Sequence, residues 1–400
     1  MKQRVLIVNK FYYRRGGDCV CTLNLEELLT REGHATAVFA MQYSENLPSK
    51  WSRYWPEEVN FSGGTSSKIK ALKRTLGLGD VKQKFATLLR DFRPDVVHLN
   101  NIHSYLSPVI AEMAHKAGAK VVWTLHDYKL ICPSYSCLDP KGLICEKCFR
   151  SKLPVLTTKC MKGSLTASAV AWLEALKWRC KGLEQNVDYF ICPSQFMGNK
   201  MQQGGFSPEK LVTLCNFVAP EMIDSYRNLN ALQNRNDYYC YVGRLSKEKG
   251  VRTLLSVAST LPYKLKIAGN GPLREELKAK YSSCPNIEFL GHLNGEQVRE
   301  LFCKARFSVM PSECYENNPL GVIESLCAGT PVIGANIGGI PELIKDGDGT
   351  VFASGNPDSL ADAIKRQWQS TPDRADIQSD ALETFSPQAH YAQLLKLYAI

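Results

Sequence analysis

Short, continuously apolar segments alternate with helix-like segments along the whole of this 400-residue chain. A strand that is apolar on both faces must be covered on both sides, as in parallel sheets flanked by helices. The alternation therefore predicts an α/β protein with doubly wound sheets. The expected strands cover residues 5–9, 35–40, 95–100, 120–127, 189–194 and 211–216 in the first half, and 238–244, 264–269, 287–291, 307–311 and 332–335 in the second.

The length of the chain predicts two domains, because 400 residues are more than one ordinary core contains. A polar, asparagine-rich stretch near residues 217–237 separates the two sets of strands. We therefore expect a first Rossmann-like domain over residues 1–218, a second over 219–385, and a closing helix over 386–400. Two such domains would face each other across a cleft that binds ligands.

Composition excludes several classes of protein. The hydrophobic fraction of 44% and the charged fraction of 22% are those of a globular chain rather than a disordered one. No apolar run reaches the roughly 18 residues of a membrane span, and the apolar residues 5–8 are too few for a signal peptide. These features predict a cytoplasmic protein with reduced cysteines, most of which, such as Cys192, Cys215, Cys240 and Cys327, would pack in the cores.

The net charge of +10 is concentrated in the first half of the chain. Residues 1–218 carry 30 Lys and Arg against 18 Asp and Glu, a balance of +12, whereas residues 219–400 carry 19 against 21, a balance of −2. This asymmetry predicts an anionic partner or surface for the first domain. Solvated surface lysines explain any single one of these charges equally well.

A glycine and two cations follow the first strand of the second half. Gly243 ends that strand, Arg244 comes next, and Lys249 lies five residues further on, where a helix is expected to start. A planar guanidinium and a mobile ammonium at the carboxyl end of a strand suit a diphosphate. Two ordinary surface cations would give the same pattern.

Two glutamates, Glu316 and Glu324, flank the start of a helix predicted near Pro319. If the segment is mostly helical, eight positions separate the carboxylates by about 12 Å. Carboxylates accept hydrogen bonds from vicinal hydroxyls, so Glu324 suits a ribose and Glu316 a hexose. The unpaired backbone amides near Asn318, Pro319 and Leu320 suit a phosphate.

These residues resemble the family-four glycosyltransferases, which have the two-domain GT-B fold. The most specific feature is the pair of glutamates with the Ala-Gly-Thr-Pro-Val-Ile segment of residues 328–333. The resemblance implies that Arg244 and Lys249 bind the diphosphate of a nucleotide sugar and act in catalysis, that Glu316 faces the transferred sugar, and that Glu324 binds the ribose. It also implies that the closing helix crosses back to the first domain.

The first half agrees with this resemblance. Gly16 and Gly17 follow the first strand, where glycines let backbone amides approach a phosphate, although a plain loop would also use them. His126 ends another strand, and the resemblance implies that it contacts the donor sugar near the reacting carbon. Asn101 and His103 end the neighbouring strand, so we assign them to the acceptor side, whereas His98 within that strand is expected to be structural.

The resemblance implies a transfer that retains the anomeric configuration. Such a transfer can proceed on the front face, where the leaving diphosphate helps to take the proton of the acceptor and the protein positions the groups and stabilises charge. Because Arg244 and Lys249 supply that charge, no cofactor is expected to be required.

Five cysteines crowd residues 132–160. Their number and the Cys-x2-Cys spacing are typical of a tetrahedral zinc site, while unbound thiols remain the alternative. Some similar glycosyltransferases carry a Cys-rich insert here, and that resemblance implies a structural zinc ion on Cys132, Cys145, Cys148 and Cys160, with Cys137 left over.

Basic residues surround this insert and a second helix. They could hold the first domain on an anionic membrane surface, although solvated helix faces explain each cluster as well. The cations are Lys141, Lys147, Arg150, Lys152, Lys159, Lys162, Lys177, Arg179 and Lys181, and, in the second cluster, Lys68, Lys70, Lys73 and Arg74.

The leading prediction is a retaining glycosyltransferase that moves a sugar from a nucleotide-diphosphate sugar to a glycan or lipid-linked saccharide, in polysaccharide or glycolipid biosynthesis, with no nucleic acid as partner. Three alternatives stay open at this point. A nucleotide-sugar epimerase could use the same architecture, and so could a catalytically silent nucleotide-sugar-binding protein. A zinc-dependent nucleic-acid-binding protein would explain the cysteines and the basic half, but not Glu316 and Glu324.

Overall fold

The computed structural model describes residues 2–59, 61, 63–227 and 236–399. The chain divides into two compact units, Met1–Cys215 with Tyr391–Ile400, and Asn216–His390. Part of the stretch predicted to separate two domains, residues 228–235, lies outside the described residues.

The first unit is built on a six-stranded sheet in which every neighbouring pair is parallel. In sheet order the strands are β2 (Ala35–Phe39), β1 (Arg4–Val8), β3 (Val96–Leu99), β4 (Lys120–Thr124), β5 (Tyr189–Cys192) and β6 (Leu211–Thr213). Val5 pairs with Thr36 on one side and with Val96 on the other. The residues of β1 from Val5 to Val8 have no exposed surface, which is why this strand is continuously apolar.

Helices connect these strands and cover the sheet. They are α1 (Gly17–Arg31), α2 (Thr65–Thr75), α3 (Asp80–Phe92), α4 (Val109–Lys116), α5 (Pro154–Thr157), α6 (Leu165–Lys177), α7 (Cys180–Glu184) and α8 (Gln195–Gln203). Serine side chains start two of them, since Ser164 accepts a hydrogen bond from the amide of Ala167 and Ser194 accepts one from Met197.

The second unit repeats this architecture. In sheet order its parallel strands are β12 (Gly349–Phe352), β11 (Val332–Ala335), β10 (Ser308–Met310), β7 (Tyr238–Val242), β8 (Lys264–Ala268) and β9 (Ile287–Gly291). Its helices are α9 (Ile223–Arg227), α10 (Val251–Ala258), α11 (Arg274–Lys280), α12 (Gly295–Lys304), α13 (Leu320–Cys327), α14 (Pro357–Gln369) and α15 (Arg374–Phe385). The prediction of two doubly wound parallel sheets is confirmed.

Each predicted strand overlaps an observed one, but most end one to three residues before the predicted carboxyl end, whereas β9 and β11 end where predicted. The strand expected over residues 120–127 ends at Thr124, so His126 lies in the following loop. One strand was missed: β12 begins at Gly349, pairs only with β11 and exposes Val351, so it lacks the apolar run that marks the other strands. Of the cysteines predicted to pack in the cores, three are buried and Cys215 is half-buried.

The last helix, α16 (Pro387–Tyr398), is capped by Ser386, whose Oγ accepts a hydrogen bond from the backbone amide of Ala389 at 3.2 Å. From Tyr391 onward this helix belongs to the first unit. Its Tyr398 hydroxyl lies 2.5 Å from His98 Nδ1, and Thr124 Oγ1 lies 2.7 Å from His98 Nε2. The structural role predicted for His98 is confirmed.

Candidate functional site

Lys249 and Glu316 meet at the carboxyl ends of β7 and β10 in the second unit. Lys249 ends a 3₁₀ turn after β7, and Glu316 lies in the loop between β10 and α13. The Lys249 ammonium donates to Glu316 Oε1 at 2.5 Å, and Ser312 Oγ donates to the same oxygen at 2.6 Å. The structure therefore brings these two predicted residues into one ion pair, which is mostly shielded from solvent.

The ion pair keeps Lys249 charged. Burial alone lowers the pKa of this lysine, but the attraction and hydrogen bond of Glu316, with further attraction from neighbouring groups, raise it above its ordinary value. A fixed, fully protonated ammonium at the end of a strand is the group that a leaving diphosphate requires.

Arg244 is exposed just beyond β7, and its carbonyl oxygen accepts a hydrogen bond from the Tyr241 hydroxyl at 2.9 Å. Within the described part of the chain its guanidinium forms no ion pair. Backbone packing explains the neighbouring glycines. Gly269 has a φ of +132°, and a Cβ there would lie 1.9 Å from the carbonyl oxygen of Gly243, while a Cβ at Gly243 would lie 2.7 Å from the Tyr241 hydroxyl.

Glu324 lies on α13, half-buried, and its carboxylate has no ion-pair partner among the described residues. Burial raises the pKa of this carboxyl group from 4.5 to about 7. An unpaired carboxyl group with a strongly shifted pKa is typical of a functional site. The helix begins only at Leu320, so Glu316 is not helical, and the 12 Å separation expected from helical rise does not apply.

The residues before α13 are held by Asn216. The backbone amide of Asn216 donates to Asn318 Oδ1 at 2.9 Å, and the side-chain Nδ2 of Asn216 donates to the backbone carbonyl oxygen of Asn318 at 2.8 Å. Asn318 Nδ2 is buried with no hydrogen-bond partner in the described structure. Such an orphaned donor costs free energy unless a ligand oxygen accepts its hydrogen bond, so it is compatible with the phosphate contact predicted near Pro319 and Leu320, which stays a prediction.

In the first unit, Gly16 and Gly17 lie where β1 leads into α1. Gly16 is the extended residue before the helix, and Gly17 is its first residue. A Cβ at Gly17 would meet no atom within 4 Å, and one at Gly16 would meet only Asp18, at 3.5 Å. Packing within this unit therefore does not require glycine here, and the predicted ligand contact stays a prediction.

His126 lies close to a carboxylate that the sequence did not single out. His126 Nε2 is 2.9 Å from Asn100 Oδ1, and Asn101 Nδ2 donates to Asp18 Oδ2 at 2.6 Å. Burial tends to raise the pKa of Asp18, but the charges of His126 and Lys10 and the Asn101 hydrogen bond lower it below its ordinary value. His126, Asp18, Lys10 and the two asparagines form one polar cluster at the carboxyl ends of β1, β3 and β4.

The His126 imidazole is neutral at physiological pH. Burial lowers its pKa below the ordinary value, and the opposing attraction of Asp18 and Asp127 does not outweigh it. A neutral imidazole can both donate and accept a hydrogen bond, so it can bind a hydroxyl group.

His103 lies beside Trp123 and Asp127 in the first unit. Its ring is buried and stacks on Trp123 at 5.3 Å, and its Nε2 lies 3.9 Å from Asp127 Oδ1. Burial lowers its pKa to about 3, so it is neutral. His103 is thus mostly covered by its own unit and lies close to Asp127, and the acceptor contact expected of it stays a prediction. Asn101 is also buried, with its amide committed to Asp18.

The thiols of the Cys-rich segment do not form the predicted zinc site. Across residues 2–59, 61, 63–227 and 236–399, no three His, Cys, Asp or Glu side chains are arranged to hold a metal ion. Cys137, which the prediction left without a role, forms a hydrogen bond with Cys132. This hydrogen bond is the main reason that the pKa of the Cys132 thiol is lowered to about 6. Cys160 Sγ lies 2.8 Å from Thr158 Oγ1, and Cys132, Cys145 and Cys160 are within electrostatic range of Cys148. The four-thiolate set of Cys132, Cys145, Cys148 and Cys160 does not fit zinc as it stands.

Two of the cations predicted to face an anionic surface have internal partners instead. Arg74 is buried and donates to both Asp80 oxygens, at 3.0 and 2.7 Å. Lys152 donates to the carbonyl oxygens of Ile131 and Cys148 at 2.7 and 2.9 Å. A count of basic residues in the sequence could not show which of them have partners inside the protein. None of the described helices is long and apolar enough to cross a membrane.

Family models match both units. The model described as Glycosyltransferase Family 4 matches residues 15–222, and the one described as Glycosyl transferases group 1 matches residues 222–384. The chain belongs to glycosyltransferase family 4. This family-four chain is thus a nucleotide-sugar-dependent, retaining glycosyltransferase with the GT-B fold, from a family whose transfer reaction is metal-independent. The epimerase and nucleic-acid-binding alternatives are therefore wrong.

Relatives and solved structures agree with this assignment. An uncharacterized glycosyltransferase of Methanocaldococcus jannaschii, MJ1607, is 32% identical over 368 residues, which cover 88% of this chain and 85% of the relative. An uncharacterized 42.6 kDa protein in the cps region of Klebsiella pneumoniae is 27% identical over a match that covers 85% of this chain and 87% of that relative. The fold matches Anabaena Alr3699/HepE, solved in complex with UDP and glucose, with a TM-score of 0.66 at 17% identity and 98% coverage of both chains.

Two residues of the family-four chain were missed from the sequence, Asp18 and Lys10. Asp18 directly follows the glycine pair, and Lys10 is the second residue after β1. Both positions are at the carboxyl edge of the sheet, where ligands of such sheets bind, so that position was the available signal. The net positive charge of residues 1–218 gave no reason to single out an acidic residue such as Asp18.

Proposed function

We propose that this enzyme transfers a sugar from a UDP-sugar to a hydroxyl group of a glycan or lipid-linked saccharide, in polysaccharide or glycolipid biosynthesis. UDP is chosen because solved structures with this fold contain UDP, glucose or UDP-glucose. Assembly of a polysaccharide is supported by the relative in the cps region of Klebsiella pneumoniae.

The observation that carries the proposal is the unpaired, half-buried Glu324 on α13, the helix after β10, in the unit that also holds Arg244 and Lys249 after the neighbouring strand β7. Glu324 accepts hydrogen bonds from the ribose hydroxyls. Arg244 and Lys249 bind the diphosphate, helped by the amides near Leu320 and the orphaned Asn318 Nδ2. A ligand therefore satisfies groups that have no partner in the protein alone.

The catalytic roles follow from the same groups. Lys249 and Arg244 stabilise the charge that develops on the leaving diphosphate, while Glu316 orients Lys249 and accepts hydrogen bonds from the sugar hydroxyls. In the first unit, the neutral His126 contacts the donor sugar near the reacting carbon, and the amides of Gly16 and Gly17 approach the donor. No covalent sugar intermediate is needed, because the departing diphosphate takes the acceptor proton.

Donor titration tests the proposal. Wild-type protein is titrated with UDP-, GDP- and ADP-glucose, and formation of the free nucleoside diphosphate is followed with and without saccharide acceptors. Arg244→Ala is expected to weaken UDP-sugar binding at least tenfold, since it removes hydrogen bonds to a charged group. Arg252→Ala is the matched control, because Arg252 is an exposed arginine of the same unit that pairs with Glu276.

Each outcome has a separate meaning. Binding of GDP- or ADP-sugars alone contradicts the choice of UDP, and equal loss in both arginine variants contradicts the diphosphate site. Binding of UDP-sugars without any turnover in the presence of a wide range of acceptors would favour the silent binding protein.

We also propose that the first unit works at the cytoplasmic face of a membrane, where lipid-linked acceptors lie. Leu143, Leu153 and Leu165 are each more than half exposed beside the cations Lys159 and Lys162. The test is flotation with vesicles of phosphatidylglycerol and of phosphatidylcholine. The Leu143→Ser/Leu153→Ser double variant is expected to lose binding to the anionic vesicles, whereas Val351→Ser, an exposed position of the second unit, is expected to keep it. Retention of binding by the double variant contradicts this surface.

A further inference from the structure

Four aromatic side chains form a cluster at the carboxyl edge of the first unit's sheet. We call Phe11, Tyr13, Tyr43 and Tyr105 the aromatic platform. The Phe11 ring centre is 5.6 Å from Tyr13, 5.1 Å from Tyr43 and 6.2 Å from Tyr105. The four residues come from the loops after β1, β2 and β3, and the three tyrosines keep part of their surface exposed. Three separate loops therefore build one aromatic surface beside the polar cluster of Asp18 and His126.

Two cations lie on this platform. The Arg15 guanidinium is 4.2 Å from the Phe11 ring centre, and the Lys10 ammonium is 5.4 Å from Phe11 and 5.5 Å from Tyr105. Neither cation forms an ion pair with an acidic side chain among the described residues. A guanidinium stacked on a ring keeps its N–H edges free, and those edges match the two oxygens of a carboxylate or phosphate.

The tyrosine hydroxyls add neutral hydrogen-bonding groups. Burial raises the pKa of Tyr13, Tyr43 and Tyr105 above the ordinary value, so all three remain protonated and can donate to sugar oxygens. Glu58 lies within electrostatic range of Tyr13 and Tyr43, and Glu45 within range of Tyr13. These carboxylates disfavour an anion at that end of the platform, so a negative group fits only on the side of Lys10 and Arg15.

A cavity continues from the platform. It has a volume of about 460 Å³ and is lined by Tyr43, Asn46, Ser49, Arg53 and Trp55, among others. This volume is in the range of sites for small organic ligands. Tyr43 belongs to both features, so the cavity adjoins the platform.

We propose that the aromatic platform and this cavity bind an anionic saccharide acceptor, whose carboxylate or phosphate group lies on Arg15 and Lys10. The inference rests on the proposed function, which requires a hydroxyl acceptor in the first unit. Aromatic faces pack against the C–H faces of sugar rings, and the tyrosine hydroxyls satisfy the sugar hydroxyls. A neutral glycan would leave Arg15 without a charged partner, while a non-saccharide anion would leave the aromatic surface and the cavity unused.

The experiment measures acceptor binding in the absence of any donor. Wild-type protein is applied to an array of uronate-containing, phosphorylated and neutral oligosaccharides, which separates the two sources of negative charge. The strongest acidic ligand is then titrated against Arg15→Gln and Arg14→Gln. Arg14 is the exposed neighbouring arginine, so both variants change the net charge of this basic unit equally. Far-ultraviolet circular dichroism checks that both variants are folded.

Wild-type protein is expected to bind acidic members of the array and not their neutral counterparts. Arg15→Gln is expected to weaken that binding roughly tenfold or more, because it removes hydrogen bonds to a charged group, and Arg14→Gln by less than about twofold. Equal loss in the two variants shows attraction by the overall charge of the unit and overturns the proposal. Preference for neutral glycans, or no binding to any member of the array, overturns it as well.

The donor titrations keep this inference separate from the proposed function. If the protein binds UDP-sugars but shows no preference for acidic saccharides, only the proposal of an anionic acceptor is refuted. If it binds acidic saccharides through Arg15 but binds no nucleotide sugar, the proposed donor is refuted and the proposed saccharide site stands.

Discussion

Replacing Glu324 by glutamine is expected to stabilise the protein at pH 8 and at the same time weaken its binding of a nucleotide sugar. Burial raises the pKa of this carboxyl group from 4.5 to about 7, and no cation pairs with it among the described residues. The folded protein therefore binds the Glu324 proton more tightly than the unfolded chain does. The free energy of unfolding falls as pH rises through the interval between these two values.

The magnitude follows from the shift. A difference of about 2.5 pKa units corresponds to about 3 kcal/mol once the pH is well above 7. Between pH 5 and pH 8 the cost of ionising Glu324 grows by about 2 to 3 kcal/mol. Glutamine does not ionise, so the Glu324→Gln variant escapes this cost. For a unit of this size the gain corresponds to a rise in Tm of roughly 5–10 °C at pH 8 relative to pH 5.

The assay is urea unfolding of the wild type and the variant at pH 5, 6, 7 and 8. The quantity of interest is the difference between their free energies of unfolding, in which contributions from the other titrating groups cancel. Glu383→Gln serves as the matched control, since Glu383 is an exposed glutamate on α15. The difference is expected to increase with pH for Glu324→Gln and to stay flat for Glu383→Gln.

Binding of a UDP-sugar is measured on the same samples. A nucleotide sugar is preferred to UDP, because it lacks the terminal phosphate that itself titrates near pH 6. Affinity of the wild type is expected to fall below pH 7, as Glu324 becomes protonated, and the Glu324→Gln variant is expected to bind at least tenfold more weakly at pH 8. A flat stability difference, or unchanged affinity in the variant, would refute the reasoning.

Lys249→Met leaves the shielded Glu316 carboxylate without its partner, so urea unfolding is expected to show a loss of about 2 kcal/mol, part of which a second change, Glu316→Gln, restores. Asp18→Asn removes an attraction that raises the pKa of His126, and an NMR titration of that imidazole is expected to show a lower pKa than in the wild type. Arg374→Lys is expected to cost about 3 kcal/mol in urea unfolding without changing nucleotide-sugar affinity, because the buried Arg374 guanidinium donates to three carbonyl oxygens and a threonine hydroxyl.

The sheets could be predicted because burial on both faces leaves a direct trace in the sequence. Strands such as β1 and β7 are continuously apolar, and the carboxyl ends of parallel strands share one edge, so Arg244 and His126 could be assigned to sheet edges from their positions alone. The exact strand ends could not be predicted, since an apolar run often continues into the loop, as it does beyond Thr124.

Side-chain pairing could not be predicted, because it depends on contacts between residues far apart in the chain. Lys249 and Glu316 are 67 positions apart, and the sequence assigned them to different parts of the donor. Arg74 was counted as a surface cation although it is buried against Asp80. Crowded cysteines likewise show that thiols are near each other, but not whether their sulfur atoms converge on one point.

The second unit contains several groups that its own packing leaves unsatisfied. In the described structure, Glu324 is shielded from solvent and no cation pairs with it. The side-chain Nδ2 of Asn318 is buried and has no hydrogen-bond acceptor, and Arg244, at the end of a strand, forms no ion pair with a carboxylate. The shielded Glu324 carboxylate and the buried Asn318 Nδ2 each make the ligand-free fold less stable than an apolar or paired replacement would, whereas the exposed Arg244 does not. All three belong to segments that follow the neighbouring strands β7 and β10, and a nucleotide sugar would supply the hydroxyl, oxygen and phosphate partners that they lack. If Glu324→Gln stabilises the protein and also loses binding, the cost of burying this carboxylate is tied to the ligand, and this is why that pair of results is decisive.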